Sequence, residues 1–229
     1  MITVAYRTSS SMPRPTGTIG RMRYTRAVEK LRLLAEECER VGHWPPDEEP
    51  FLVSMYAFGD VLEGADPLEA VQVLGVIRVM PEEAPWGSEP RGTQGLADIL
   101  RLSKGGYEYW WRSYLDPVWN HYVRSPVRIW SQDGPDTETL DALAERRFSD
   151  LRRLTASPVD ERLQARDDLD AALRHLRQVH DSYWDNDWRH DHRGGGRYPE
   201  HQLWEAVYGY LNLLDATSSV PGQKAKPGT

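Results

Sequence analysis

A single cysteine, Cys38, stands in a chain of 229 residues, so no internal disulfide can form, and a reducing compartment suits the composition. Long apolar runs are missing as well. No stretch approaches the ~20 residues that a membrane-spanning helix needs, and residues 1–21 lack the apolar segment of a secretory signal. Together these absences lead to the expectation of a cytoplasmic protein with no membrane partner. Phenylalanine is scarce, at 3 residues, whereas tryptophan and tyrosine number 9 and 11. Trp and Tyr join a large apolar body to a polar tip, which suits seams between elements that are half-buried. A net charge of −7 excludes a surface that is a nucleic-acid platform throughout and leaves only local basic patches for that role. Hydrophobic residues at 39% and charged residues at 28% are a globular balance, enough for a real core.

Residues 1–21 carry Arg7, Arg14 and Arg21, no acid, and a Ser/Thr/Pro/Gly-rich stretch, which predicts a disordered arm. Residues 217–229 predict a disordered tail for the same reasons. Between them, a helix is predicted over 22–42, with Ala27, Val28, Leu31, Leu34, Ala35, Cys38 and Val41 on one face and Gly42 at its C-cap. The run HWPPDEEP then imposes extended chain. Strands are predicted at 51–58 and 71–79, the second apolar almost throughout, as in a central strand. A short helix follows at 95–103, and an aromatic segment over 107–130 ends in PVRIW, a third strand.

From residue 137 the period turns helical. Leu140, Leu143, Ala144, Phe148, Leu151 and Leu154 mark one face of a helix that Asp136 or Thr137 can cap. A longer helix starts at Ser157 with Pro158 in its first turn, and its apolar face is read as Val159, Leu163, Leu169, Ala172, Leu173, Leu176 and Val179. After a break through Asp185, Asn186 and the glycines at 194–196, a last helix covers 200–214 and carries Leu203, Val207, Leu211 and Leu214. Strands first and helices last make the fold class α+β, with a core over 22–135 and a C-terminal helical bundle over 136–216.

The segment Tyr56-Ala57-Phe58-Gly59-Asp60, followed by Val71-Gln72-Val73-Leu74-Gly75-Val76, ends a strand in aromatic-Gly and begins a hydrophobic one after a polar connection. It resembles the opening of the nucleotidyltransferase fold of the DNA polymerase beta type, so the small mixed sheet is expected to be of nucleotidyltransferase-like type. The resemblance implies phosphates near the glycine and a following serine, and divalent metal on two carboxylates of the next strand. Strand period two puts positions i and i+2 on one face, and Mg²⁺ takes oxygen ligands beside a triphosphate. Carried onto this chain, the nucleotide-binding positions are Gly59, Asp60, Glu69 and Gln72.

The match is partial. Asp60 replaces the serine, and the metal positions fall on Ala70 and Gln72, neither an anionic ligand. Glu69 has Val71 as its partner on the same face, and Val127-Arg128-Ile129-Trp130 offers no third carboxylate. The expectation is therefore a catalytically degenerate binding or regulatory protein, with no catalytic residue and no cofactor assigned. The alternative is an active enzyme, either a divergent nucleotidyltransferase or a HEPN-type ribonuclease. The block from about 22 to 215 also resembles an uncharacterised bacterial family sharing this pattern, through FGDVLEGADPLEAVQVLGVI, EAPWGSEPRGT, PVWNHYVRSPVRIWSQDGPD and ALAERRFSDL. That resemblance implies one evolutionary unit and no activity.

Three further groups invite chemistry. Trp110, Trp111, Trp119 and Trp130 interleave with Lys104, Arg112, His121, Arg124 and Arg128; aromatics beside cations can stack bases and neutralise phosphates. Arg112, His121, Arg124 and Arg128 are the candidate RNA or ligand surface, while the tryptophans are expected mainly to hold the sheet to its helical layer. His190, His192 and His201, among Asp185, Asp187 and Asp191, are the candidate metal ligands. Arg174 and His180, with five residues between them, resemble the R-x4–6-H signature of HEPN-type ribonucleases, which implies RNA cleavage at a dimer interface. A nucleotide, an RNA or a protein remain the candidate partners, and a homodimer the candidate assembly.

Overall fold

Apolar residues return every three or four positions between Tyr24 and Gly42, and this stretch is the first helix, α1. Its buried face is the expected one with Tyr24 added. The structure, a computed structural model, describes residues 21–42, 51–193 and 198–218. The expected arm, apart from Arg21, lies outside the described residues, as do the proline run, the triple glycine and the end of the expected tail. Gly42 closes α1, where a Cβ would run into the Trp130 ring; the glycine makes room for an indole.

Five strands form one sheet in the order β3-β2-β1-β4-β5. They are β1 (Leu52–Phe58), β2 (Val71–Ile77), β3 (Tyr107–Ser113), β4 (Val127–Ser131) and β5 (Gly134–Pro135). β1 is antiparallel to β2 and β4, β4 is antiparallel to β5, and β2 is parallel to β3. The aromatic segment that reads as one unit is therefore two strands. The parallel β2–β3 pair needs a crossover, and residues 78–106 supply it, with the short helix α2 (Thr93–Ile99) inside.

Alternation along β3 sorts its side chains between two layers. Tyr107 faces α1, where its hydroxyl donates to the Lys30 carbonyl at 2.8 Å, and Tyr109 and Trp111 share that face. Glu108, Trp110 and Arg112 take the other face, where the Trp86 and Tyr122 rings meet Trp110 and α4 (Pro158–Ser182) meets Arg112 through Asp168; α6 (Pro199–Ser218) packs closely on α4. α3 (Thr137–Ala144) packs instead on α1 and β4, and α5 (Asn186–Asp191) fills the expected break.

Helix starts follow the sequence. The Asp136 carboxylate accepts from the Thr139 N–H at 3.0 Å, and the Ser157 hydroxyl accepts from the Asp160 N–H at 3.2 Å, ahead of Pro158. Asp185 caps α5 in the same way, accepting from the Trp188 N–H at 2.8 Å. Beyond α1, some helix faces and ends depart from it. α3 stops at Ala144, and Phe148–Asp150 is a separate turn. α6 continues to Ser218, so Thr217 and Ser218 are helical rather than tail. The sheet-facing side of α4 is Ala165, Asp168, Ala172 and Val179, whereas Val159 and Leu163, expected inside, are each 55% exposed. Among the described residues no helix is long and apolar enough to cross a membrane.

Candidate functional site

β1 ends at Phe58, and Gly59 turns the chain with φ of +71°. A Cβ at that position would collide with the Gln72 side-chain oxygen, so glycine is required on both counts. Parallel register sets Gln72 beside Glu108. The Gln72 amide donates to Glu108 Oε2 and to the Tyr122 hydroxyl, each at 3.1 Å. Burial pushes the Glu108 carboxyl above the usual carboxylate range; the Gln72 hydrogen bond draws it back, and the negative Glu69 and Asp60 push it up again.

Of the four positions expected to bind a nucleotide, the structure brings Gly59 and Gln72 into contact and sets exposed Asp60 and Glu69 near Glu108. Ala70 is buried and offers no ligand. A carboxylate on a later strand does exist. It is Glu108, on a strand that sequence reading did not separate from its aromatic surroundings. Among the described residues, no group of three or more His, Cys, Asp and Glu is placed to hold a metal ion.

The basic-aromatic segment divides. Arg112 is buried and bound bidentately to Asp168, at 3.0 and 3.2 Å, so it belongs to the interior and to no RNA surface. His121 is partly buried against Trp86, with Nε2 2.7 Å from Asn212 Oδ1. Arg124 is exposed and donates to the His121 carbonyl at 3.3 Å, and Arg128 lies 3.7 Å from Asp136. Trp130 is fully buried and donates to Glu39 at 2.8 Å. Trp110 is half-buried among Phe58, Trp86 and Tyr122, with ring centroids 5.4, 6.2 and 4.9 Å away.

The three histidines are engaged separately. His192 stacks on Trp188 with centroids 4.1 Å apart, and its Nδ1 lies 2.8 Å from the Trp188 carbonyl. His201 Nδ1 accepts from the Tyr198 N–H at 3.3 Å, and His190 is exposed. Arg174 and His180 are both exposed on α4, about 120° apart on the helix, and His180 lies 3.1 Å from Asp181.

A cleft lies elsewhere. It measures about 790 Å³ and separates the 79–94 loop from α4, α5 and α6, and His175, His192, Trp188, Arg91 and Arg193 line it with Glu82 and Gln178. Small-molecule sites commonly occupy this size range. His175 Nε2 is buried there with no hydrogen-bond partner, and burial holds its ring below the ordinary histidine pKa. Sequence reading missed His175, which belongs to no motif. The cleft wall is fixed: Trp86 Nε1 donates to Asn212 at 2.9 Å, the Glu89 N–H donates to Glu205 at 3.2 Å, and Gly87 packs on Gly209.

A family model described as a domain of unknown function (DUF7711) matches residues 22–219. No curated protein and no solved structure is significantly similar to the chain.

Proposed function

The chain belongs to the DUF7711 family, and from that footing we propose a non-catalytic binding protein on a nucleotidyltransferase-like sheet, whose C-terminal helices form one wall of a ligand cleft. One observation carries the reading. The Gln72 side chain sits against Gly59, on the backbone that nucleotide phosphates would have to approach, held there by Glu108 and Tyr122. Asp60, Glu69 and Glu108 make that corner repel a triphosphate, and Ala70 and Gln72 supply no anionic ligands for the metal that would offset the repulsion.

The cleft suits a small polar ligand. It presents both signs of charge, and a ligand polar atom hydrogen-bonded to His175 Nε2 would satisfy a buried group that otherwise lacks a partner. A nucleotide bound without its metal falls within this class. RNA does not suit the basic-aromatic segment, because Arg112 is interior.

Incubation with labelled nucleoside triphosphates and Mg²⁺ or Mn²⁺ should give no transfer. Transfer that disappears in Glu108→Gln would overturn the non-catalytic reading. In a thermal-shift panel of nucleotides and amino acids without metal, a stabilising compound should lose its effect in His175→Leu and Arg91→Ala. A shift that survives in both variants would place the ligand outside the cleft.

A further inference from the structure

With Ala165, Asp168, Ala172 and Val179 turned to the sheet, the opposite side of α4 is fixed by the 100° step of a helix. Val159, Leu163, Asp167, Asp170, Arg174, Arg177 and Asp181 stand about 140–180° round from Ala172, and all seven are exposed. Four of their five charges are symmetric about Ala172. Asp167 lies five residues before it and Arg177 five after; Asp170 lies two before and Arg174 two after. Among the described residues none of these four charges takes part in an ion pair.

The neighbouring helix leaves an apolar strip on the same outer layer. Trp204, Val207 and Leu211 on α6 are 42%, 37% and 49% exposed, and with half-buried Leu214 they recur at steps of three, four and three. Between His201 and Leu214 the only charged residue is Glu205, which is buried. A helix that is apolar outward as well as inward over several turns ordinarily has both sides covered.

We propose that the chain pairs with a second copy of itself across the outer faces of α4 and α6, related by a two-fold axis, with the α4 helices antiparallel and crossing at the level of Ala172. That operation sets Asp167 against Arg177 of the partner subunit and Asp170 against Arg174 of the partner subunit, each pair occurring twice. An in-register parallel arrangement would set Asp on Asp and Arg on Arg, so the charges select the orientation. Exposed ion pairs contribute little affinity; Leu163, Trp204, Val207 and Leu211 supply it by leaving water. The face is separate from the cleft, because His175 projects about 60° from Ala172, toward the sheet side.

Sedimentation equilibrium of the full chain should show a dimer at micromolar concentration. Arg174→Asp with Arg177→Asp makes the α4 strip wholly acidic, and Asp167→Arg with Asp170→Arg makes it basic apart from Asp181. Each variant alone should dissociate with a constant raised about tenfold or more, its helical circular dichroism unchanged, and their equimolar mixture should recover the dimer. Val207→Glu should also be monomeric while keeping any ligand-induced thermal shift. A parent chain that stays monomeric overturns the proposal, as do two charge variants that stay dimeric alone or a mixture that stays monomeric. A monomeric parent that instead binds another protein through this face overturns it too.

Discussion

On the α1 side the sheet is closed by apolar side chains, among them Leu31, Leu34, Ala35 and Cys38, all essentially inaccessible. Even Trp130, fully buried below them, has a single polar atom, and it bonds to Glu39. On the α4–α6 side small residues and polar groups do the closing. Arg112 and Asp168 pair bidentately, Asn212 receives Trp86 and lies beside His121, and Gly87 meets Gly209 backbone to backbone. Apolar burial is strong but non-directional, whereas bidentate pairs and backbone contacts accept one geometry. The first side therefore supplies strength, and the second sets where the helix pair sits and so shapes the cleft.

The largest effects test that division. Trp130→Ala should cost about 3–5 kcal/mol in urea unfolding, and no second substitution should recover it. Asp168→Ala should cost a similar ~3–5 kcal/mol by stranding a buried guanidinium, yet Arg112→Met with Asp168→Leu should regain most of the loss. A cost below about 1 kcal/mol for Asp168→Ala would erase the contrast. Gly209→Ala comes next, at about 1–3 kcal/mol, since its Cβ would strike the Trp86 carbonyl and lift α6 from the loop. Gly95→Ala in α2, where a Cβ meets nothing within 4 Å, should instead stabilise by roughly 0.5–1 kcal/mol.

The smallest effect is pH-dependent. Burial keeps the folded-state pKa of His175 below the ordinary histidine value, so between that pKa and about 6.5 the unfolded chain binds the extra proton. Stability therefore rises with pH through that window and falls as pH drops below about 6.5. His121 acts in the same direction, lowered by burial against the hydrogen bond of Asn212. Glu108 and Asp116, raised by burial, act oppositely, because they keep protons that the unfolded chain releases. His175→Leu should flatten the decline on the acidic side of 6.5, read as urea midpoints across pH. An unchanged slope would show that His175 titrates alike in both states.

Much of the α1 side was legible in the sequence. The buried face of α1 and the central strand β2 follow from periodicity, because the layer they meet is apolar. The α4–α6 side was legible at its caps and at Ala172 and Val179, and less so elsewhere. Hydrophobic periodicity favours Val159 and Leu163 as interior and passes over Ala165 and Asp168, since it cannot register a seam built from small and paired polar residues. β3 hides for a related reason: YEYWWRS meets a different layer on each face and shows no polar alternation. Glu108 was lost with it. The absence of carboxylates at Ala70 and Gln72 could be read directly, but the contact between Gln72 and Gly59 depends on how two strands pair.

The strand β5 is two residues long and ends in Pro135, which has no N–H to donate. At that margin an incoming chain finds almost no backbone to template on, so the sheet cannot be lengthened there into a fibrous stack. A short proline-ended border closes this edge of the sheet to main-chain ladders, so a partner that meets the molecule here does so through side chains, where single substitutions can tune the contact.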